Sequence, residues 1–284
     1  MKICRFNQSR LGVIDQGSVL DVTAALSVLP AESYPYPVID ALIAHLDSVR
    51  DEIEQIRHEA RKLRLKDVKL LAPVANPGKL VGAPVNYLKH LEEARAQPEL
   101  HHNNQIEQIQ RAGLFLKATS SLIGPGEPVR IRFPDRRSDH EIELAVIIGK
   151  TADRVAAKHA LDHVAGYTIG LDMTVRGPEE RSLRKSVDTY SVLGPWLVTA
   201  DEFGSPANVD LELKVNGQMR QQANTRDLVL TIPELIEFAS RFYTLHPGDV
   251  IFGGTPEGVG PVVAGDSIQA KISNIGTMTV NVLA

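Results

Sequence analysis

The chain has 284 residues, of which 43% are hydrophobic and 23% charged, a composition typical of a globular protein with a sizeable core. Its net charge of -4 gives no electrostatic reason to bind nucleic acid or an anionic membrane, because both attract basic surfaces. The single cysteine, Cys4, excludes an internal disulfide, and no cysteine–histidine cluster indicates structural zinc. Since neither a signal peptide nor a run of about 20 apolar residues is present, the expected location is the cytoplasm.

The beginning of the chain is predicted to form a small N-terminal domain, residues 1–70. Short hydrophobic stretches alternate with turns, and the Asp-Gln-Gly sequence at 15–17 has the chemistry of a hairpin turn. Across residues 37–66, apolar side chains recur at three- and four-residue steps, which predicts one or two amphipathic helices. Residues 71–284 are then expected to form a second, larger domain.

A polar segment follows the predicted strand 79–83 and runs from Asn86 to about Arg111. It is rich in Glu, Gln, His and Asn but has little apolar periodicity, so it predicts a surface helix with a loop. Two interpretations remain open: a mobile lid, which its length suits, or a solvated insertion. His101 and His102 in this segment are interpreted as solvated side chains.

Strands dominate from Leu114 onward. The candidate strands have the sequences GLFLK, PVRIRF, IELAVIIG, GYTIGLDM, LGPWLVT, DLELKVNG, DVIFGG, SIQAKIS and TMTVNV. Helices are predicted at 158–164 and 232–242, the latter with Thr231 as N-cap and Pro233 in its first turn. Because helices do not alternate with strands, a doubly wound parallel sheet is not expected. The predicted fold class is α+β, predominantly β, with mostly antiparallel curled sheets.

Two acidic residues, Glu141 and Glu143, occupy one predicted strand. Since side chains alternate along a strand, both project from one face, and Ile142 and Leu144 project from the other. Like charges beside an apolar strand are costly unless they are neutralised, and a divalent cation does this. Asp172 ends the next strand after a hydrophobic run, where a buried charge needs a partner.

These three carboxylates are hard oxygen ligands, which suit Mg²⁺, Mn²⁺ or Ca²⁺ better than zinc or copper. With three protein ligands, further coordination positions stay open for water and substrate. The alternative is that Glu141 and Glu143 line a solvated edge and pair with Arg or Lys.

The sequence motifs around these residues resemble those of the fumarylacetoacetate hydrolase (FAH) family. In chain order the motifs are DHEIELAVIIGK, GYTIGLDMTVR, LGPWLVT, VNGQMRQ and LHPGDVIFGGTPEGVG. The resemblance extends from about Leu80 to the C-terminus. It implies an FAH-type mixed β-roll as the catalytic domain, a homodimer, and Mg²⁺ or a similar ion. It also implies that Glu141, Glu143 and Asp172 are the metal ligands.

The resemblance implies catalytic roles for three further residues. VNYLKHLEEA is similar to the family's NYxxHxxE segment, so His90 and Glu93 match the catalytic dyad of acylpyruvate hydrolases and oxaloacetate decarboxylases. Residues three apart share a helix face, so Glu93 can orient His90. Lys185 matches the family's active-site lysine. Without the resemblance, a His/Glu pair on a polar helix would be interpreted as a solvated face.

Four more residues match positions that face the substrate. Arg176 and Thr255 match a substrate-side arginine and the threonine of the GTP-x-GVG loop, either of which can bind a carboxylate. Lys117 matches a further family lysine. Glu179 stands where the family usually has glutamine, which predicts that this point disfavours an anionic group or favours a hydroxylated one.

The chemistry implied by the resemblance is hydrolysis of a C–C bond in a small 2,4-diketo acid, such as an acylpyruvate or fumarylpyruvate. The metal would stabilise an enolate, with Lys185 adding positive charge, while His90 activates the water that attacks the 4-carbonyl. The same enolate would serve an oxaloacetate-type decarboxylase or a 2-hydroxymuconate-type isomerase, which is the second interpretation. The third is a catalytically weak binding protein stabilised by its metal.

Overall fold

The computed structural model describes residues 1–96 and 107–284, and strands predominate among them. The strands are β1 (Lys2–Phe6), β2 (Arg10–Asp15), β3 (Ser18–Asp21), β4 (Arg61–Arg64), β5 (Leu70–Leu71), β6 (Leu80–Gly82), β7 (Phe115–Lys117), β8 (Leu122–Ile123), β9 (Val129–Arg130), β10 (Ser138–His140), β11 (Ile142–Ile148), β12 (Val164–Asp172), β13 (Thr174–Val175), β14 (Ser191–Thr199), β15 (Asp210–Val215), β16 (Gln218–Asn224), β17 (Val250–Phe252), β18 (Gly260–Val262), β19 (Ser267–Ile272) and β20 (Gly276–Leu283). The helices are α1 (Ala41–Ala44), α2 (Leu46–Ile56), α3 (Leu88–Ala96), α4 (Ile109–Ala112), α5 (Ala157–Ala160), α6 (Arg181–Lys185), α7 (Ala200–Phe203) and α8 (Ile232–Phe242). The predicted class, α+β and predominantly β, is confirmed.

One sheet of 12 strands joins the beginning of the chain to its later part. Its order is β4-β3-β2-β1-β14-β12-β11-β17-β6-β7, with β5 beside β1 and β8 beside β14. Most neighbours are antiparallel, as predicted, whereas β17–β6 and β14–β8 are parallel. Because β1 pairs with β14, placing Lys2 opposite Val198, residues 1–70 share this sheet with the rest of the chain. The division at residue 70 stays a prediction.

Strands β11 and β12 place the acidic residues side by side. They pair antiparallel, with Ile142 opposite Leu171 and Glu143 opposite Gly170, and every residue of both strands is buried. Alternation along β11 sends Leu144 into one hydrophobic cluster and Ala145 into another, one on each face of the sheet. The predicted alternation is therefore present.

The other strands form two smaller sheets, ordered β13-β10-β18 and β16-β15-β19-β20-β9. Helix α8 has the predicted bounds, and its start is stabilised by a capping box in which the Thr231 N–H donates to Glu234 Oε2 at 2.9 Å. Gln16 and Gly17 have φ angles of 45° and 76°, which form the predicted β2–β3 hairpin turn.

Some predicted elements differ from the structure. Helix α2 ends at Ile56, and the charged segment Arg61–Arg64 is strand β4, not more helix, because it hydrogen-bonds to β3. A 3₁₀ turn at Leu161–His163 ends the short helix α5. Strand β16 was not predicted because most of its side chains are polar and exposed.

Of the polar segment, the structure describes α3 and α4, while His101 and His102 lie outside the described residues. No helix in the described ranges is long and apolar enough to cross a membrane.

Candidate active site

A pocket of about 660 Å³ is lined by residues from the start of β11, the end of β12, α3 and α6. All but two of the predicted site residues line it. The exceptions are Glu93 and Lys117, which contact lining residues from behind. These site residues, which are far apart along the chain, therefore lie around one cavity.

Three carboxylates converge at one side of this pocket. Glu141, Glu143 and Asp172 are each buried, and one oxygen of each lies within 4.8 Å of the others. The backbone explains the convergence, because the Asp172 N–H donates to the Glu141 carbonyl oxygen at 2.9 Å where β11 and β12 pair. Oxygen donors this close suit a hard divalent cation.

Two lysines neutralise part of this acidic cluster. Lys185 Nζ donates to Glu141 Oε2 at 2.7 Å and to Asp172 Oδ2 at 2.6 Å. Lys117 Nζ donates to Asp172 Oδ1 and, at 3.0 Å, to the carbonyl oxygen of Tyr190. The pKa of Lys117 is lowered, chiefly by burial. Burial acts in the same direction on Lys185, but the attraction of Asp172 and Glu141 outweighs it, so the pKa of Lys185 is raised. Since the Lys117 side chain has no exposed surface, direct substrate contact would require it to move.

Glu143 is the carboxylate that these lysines leave uncompensated. It accepts the Gly254 N–H at 2.7 Å, and within residues 1–96 and 107–284 no basic group lies within 4.0 Å of it. Burial, followed by repulsion from Asp172 and Glu141, raises the pKa of Glu143 well above its usual value. A buried carboxylate among other acids, with no cation of its own, is the environment that a divalent ion fits.

Opposite charges also hold Glu141 in its ionised form. Burial acts to raise the pKa of Glu141, but the positive charges of Lys185 and Arg176 outweigh burial and lower it. Thr174 Oγ1 donates to Glu141 Oε1 at 3.0 Å. Glu141, which immediately precedes β11, and Glu143, which lies within it, therefore differ in environment although they are two residues apart along the chain.

His90 and Glu93 form a pair one helical turn apart on α3. His90 Nδ1 lies 3.2 Å from Glu93 Oε2, and His90 lines the pocket. The second oxygen of Glu93 accepts the Gly258 N–H at 2.9 Å. Burial opposes the ionisation of Glu93, but these hydrogen bonds outweigh it and lower the pKa. An ionised Glu93 can hold the Nδ1 proton, which leaves Nε2 of a neutral His90 as a proton acceptor.

Gln221 positions Thr255 and was not singled out from the sequence. Gln221 Oε1 accepts the Ile142 N–H at 3.1 Å, and its Nε2 donates to Thr255 Oγ1 at 2.8 Å and to Pro256 O at 2.9 Å. His140 Nδ1 lies 3.2 Å from the same Oε1. Because Thr255 Oγ1 accepts from Gln221, its own O–H remains available to donate into the pocket. The signal was the last glutamine of VNGQMRQ, which ends a quoted motif.

Two arginine–acid pairs also border the pocket. Arg176 Nε donates to Asp139 Oδ2 at 2.7 Å, and its Nη2 lies 3.7 Å from Glu141 Oε1. Arg136 donates through both Nη atoms to Glu179, at 3.0 and 2.7 Å, and these hydrogen bonds lower the pKa of Glu179. The predicted acid at position 179 is therefore ion-paired, which weakens its expected repulsion of an anionic group.

Known proteins similar in sequence to this chain include a hydrolase and a tautomerase that are named for keto-acid substrates. The profile of the family described as fumarylacetoacetate (FAA) hydrolase C-terminal matches residues 79–283. The maleylpyruvate hydrolase of Aquipseudomonas alcaligenes is 58% identical over 282 residues, covering 99% of this chain and 98% of that protein. The mitochondrial oxaloacetate tautomerase fahd2 of Xenopus laevis is 33% identical over 300 residues, covering 98% and 89%.

A solved structure is similar over the full length of the chain. The maleylpyruvate hydrolase of Sphingobium sp. SYK-6, crystallised in complex with manganese(II) ion and pyruvate, superposes with a TM-score of 0.84 and 43% identity. The similarity covers 100% of this chain and 99% of that one. It includes residues 1–78, which the family profile does not match.

Proposed function

The chain belongs to the fumarylacetoacetate hydrolase family, and on that premise we propose that it hydrolyses a C–C bond of an acylpyruvate, a small 2,4-diketo acid. One observation carries the proposal: His90, held by Glu93, lines the same pocket as the three clustered carboxylates. Hydrolysis needs both an anchor for a 2-oxo acid and a base for water, and this pocket offers both.

Glu141, Glu143 and Asp172 are the residues that we propose hold a divalent ion, Mg²⁺ or alternatively Mn²⁺ or Ca²⁺. The manganese in the Sphingobium relative supports this choice. Such an ion supplies Lewis-acid polarisation of a 2-oxo acid. Lys185 and Lys117 hold the carboxylates in place, so we propose that Lys117 supports Asp172 and does not itself touch substrate.

The protein's own groups then carry the proton transfers. His90 takes a proton from water, Glu93 stabilises the resulting imidazolium, and the hydroxide oxygen forms a bond to C4 of the substrate. When C3–C4 breaks, its electron pair stays on the three-carbon half as an enolate, beside the Lys185 ammonium. Protonation at C3 gives pyruvate, and the acyl half leaves as a carboxylic acid.

We propose that Arg176 and Thr255 bind the carboxylate of the 2-oxo acid. Both line the pocket that contains the three carboxylates, and the Thr255 hydroxyl can donate because Gln221 occupies its lone pair. Arg176 is kept in place by Asp139, whose second oxygen accepts from Arg137 at 2.6 Å. A guanidinium and a hydroxyl together fix the orientation of a carboxylate.

The second candidate is keto–enol tautomerisation of oxaloacetate, which the Xenopus relative favours. It differs from hydrolysis because water never attacks the substrate and no pyruvate is released. Decarboxylation also releases pyruvate from oxaloacetate, but the second product is carbon dioxide and not a second organic acid. The substrate and products therefore separate all three reactions.

The experiment is a pyruvate-release assay on the purified protein with Mn²⁺ or Mg²⁺, using acylpyruvates and oxaloacetate in parallel. The proposal expects pyruvate from acylpyruvates, loss of release with EDTA, and recovery when metal is restored. A parallel assay follows the ultraviolet absorbance of the enol form of oxaloacetate, because tautomerisation releases no pyruvate. A rate of oxaloacetate tautomerisation that exceeds acylpyruvate cleavage at equal concentrations would favour the second candidate.

A homodimer and a cytoplasmic location complete the proposed description. The family resemblance supports the dimer, and the single buried Cys4 fits a reducing compartment. Light scattering on the eluting peak of a size-exclusion column measures the mass directly, and a value near that of one chain would overturn the dimer.

A further inference from the structure

The backbone of Val85 has a conformation that β-branched residues rarely adopt. Its φ angle is 51°, in the left-handed region, where Cβ of an L-residue approaches the carbonyl oxygen that follows it. For a β-branched residue such an angle is a genuine outlier, and it persists only where the surrounding structure enforces it. Of the non-glycine residues with positive φ in the ranges 1–96 and 107–284, Val85 alone lines the pocket. The strain is therefore located at the proposed active site.

The residue that follows Val85 is fixed by hydrogen bonds from both its side chain and its backbone. Asn86 Nδ2 donates to the carbonyl oxygens of Leu230 and Gly253, at 3.0 and 2.8 Å. Asn86 Oδ1 accepts the Leu230 N–H at 2.8 Å, and the Asn86 carbonyl oxygen accepts the Val229 N–H at 2.8 Å. Asn86 is fully buried, so water does not compete for these bonds. They hold the turn between β6 and α3 in place and so offset the strain at Val85.

The side chain at position 85 forms part of the pocket wall. In the stretch 83–94, the apolar residues that line the pocket are Ala83, Pro84, Val85 and Ala94. Val85 is the only one of these four with a branched side chain, and 9% of its surface is exposed. Because glycine would adopt a φ of 51° without strain, the strain has a purpose only if the isopropyl group itself is needed.

The proposed base lies in the same stretch of chain as Val85. His90 lines the pocket and activates the water that attacks C4, so the acyl group that begins at C4 is expected on this side. The other end of the substrate is the 2-oxo acid, which is assigned to the carboxylate cluster and Arg176. Val85 is therefore expected beside the hydrocarbon part of the acyl group, where a branched side chain restricts the width.

We propose that Val85 determines specificity: its isopropyl group limits the width of the acyl site and excludes acyl groups that branch near C4. The inference rests on the proposed acylpyruvate hydrolysis and narrows its substrates to acylpyruvates with a slender, unbranched acyl group. A β-branched side chain has few rotamers, and the hydrogen bonds of Asn86 prevent the backbone from moving aside. A rigid wall discriminates by size, because a larger group finds no alternative packing.

The kinetic test compares two substrates that differ in branching: acetylpyruvate and 3-methylbutanoylpyruvate, which branches two carbons beyond C4. The variants are Val85→Ala and Val85→Gly, with Val263→Ala as control because Val263 is 64% exposed. We expect both Val85 variants to raise the ratio of kcat/KM for the branched substrate to that for acetylpyruvate at least about tenfold. The value for acetylpyruvate itself should change less than about threefold, and the control should keep the wild-type ratio.

A binding measurement without turnover gives an independent readout. Pyruvate and 4-methyl-2-oxopentanoate are both 2-oxo acids, but the second is branched, and neither has a 4-carbonyl for water to attack. In the presence of Mn²⁺, pyruvate should raise the Tm of the wild type more than the branched acid does. Val85→Ala and Val85→Gly should increase the effect of the branched acid and leave that of pyruvate unchanged.

A second pair of variants tests the strain itself. Within a buried strand, glycine is normally less stable than alanine, because it loses more backbone freedom on folding. Val81→Ala and Val81→Gly on β6 should follow that order, since Val81 is buried and does not have a positive φ. At position 85 the order should reverse, because alanine keeps the left-handed strain and glycine removes it. Chemical denaturation gives the free energy of unfolding of all four variants.

Two results would overturn the proposal. One is unchanged selectivity between the two acylpyruvates in both Val85→Ala and Val85→Gly. The other is the same order of stability at positions 81 and 85, which would show that the valine is unstrained. A wild type that cleaves neither acylpyruvate would refute the proposed function, and the binding of the two 2-oxo acids would then decide whether Val85 limits the width of the pocket.

Discussion

The backbone N–H of Gly258 donates to Oε1 of Glu93 at 2.9 Å, so one carboxylate connects α3 to the loop that follows β17. Its other oxygen lies 3.2 Å from His90 Nδ1. The orientation of the proposed general base therefore depends on a loop residue 165 positions beyond Glu93.

Replacing Glu93 by Gln should keep the shape of this contact and remove its charge. We expect kcat on an acylpyruvate to fall about 100-fold, because the imidazolium formed at His90 loses its stabilising anion. Steady-state kinetics measure this loss, and Glu92→Gln is a neighbouring control. An unchanged rate in Glu93→Gln would exclude a role for this charge.

Gly258 is itself constrained in two ways, by a φ of 89° and by the Arg220 carbonyl oxygen, which lies 2.0 Å from the position a Cβ would take. Gly265 has a similar φ of 98° but nothing within 4 Å of its Cβ position. Gly265→Ala should cost about 1–2 kcal/mol in the free energy of unfolding, the strain of a left-handed alanine. Gly258→Ala should cost more and should also lower kcat, because the loop must shift. If chemical denaturation shows that both variants lose the same free energy of unfolding, the loop accommodates the close approach of the Arg220 carbonyl oxygen without further cost.

The uncompensated charge of Glu143 predicts opposite effects on stability with and without metal. In metal-free protein, Glu143→Gln should raise Tm, because burial and the neighbouring acids disfavour the ionised form. Added Mn²⁺ should raise the Tm of the wild type, by linkage, and should have little effect on the variant. Glu237→Gln, on the surface of α8, is the matched control. A Mn²⁺-induced rise that is the same in Glu143→Gln and wild type would remove Glu143 from the ligand set.

Gln221 should influence substrate binding through Thr255. Gln221→Leu deletes the hydrogen bond that directs the Thr255 hydroxyl, so we expect KM for an acylpyruvate to rise about tenfold, with a smaller change in kcat. The control is Gln222→Leu, because Gln222 is adjacent on β16 and exposed. If kcat falls as much as kcat/KM in Gln221→Leu, Thr255 acts in the transition state and not in binding.

A contact in this site could be predicted from the sequence when the residues that make it lie close together along the chain. Glu141 and Glu143 could be placed on one face because alternation along a strand is local, and the pairing of β11 with β12 then brings Asp172 beside them. The ion pair between Arg136 and Glu179 spans 43 residues, and no local pattern indicates it. The burial of Lys117 behind Asp172 likewise depends on tertiary packing. Strand β4 was missed for the same reason, since its polar sequence becomes a strand only by pairing with β3.

The most direct test of the central claim is to run the reaction in heavy-oxygen water with Mn²⁺ present and to analyse both products by mass spectrometry. Acylpyruvate hydrolysis predicts that pyruvate and the acyl-derived acid form in equal amounts, and that the acid carries heavy oxygen in its new carboxylate. His90→Ala should form neither product at a comparable rate while keeping the Mn²⁺-induced rise in Tm. Metal-loaded wild-type protein that releases no pyruvate from acylpyruvates, or His90→Ala that cleaves them at the wild-type rate, would contradict the account.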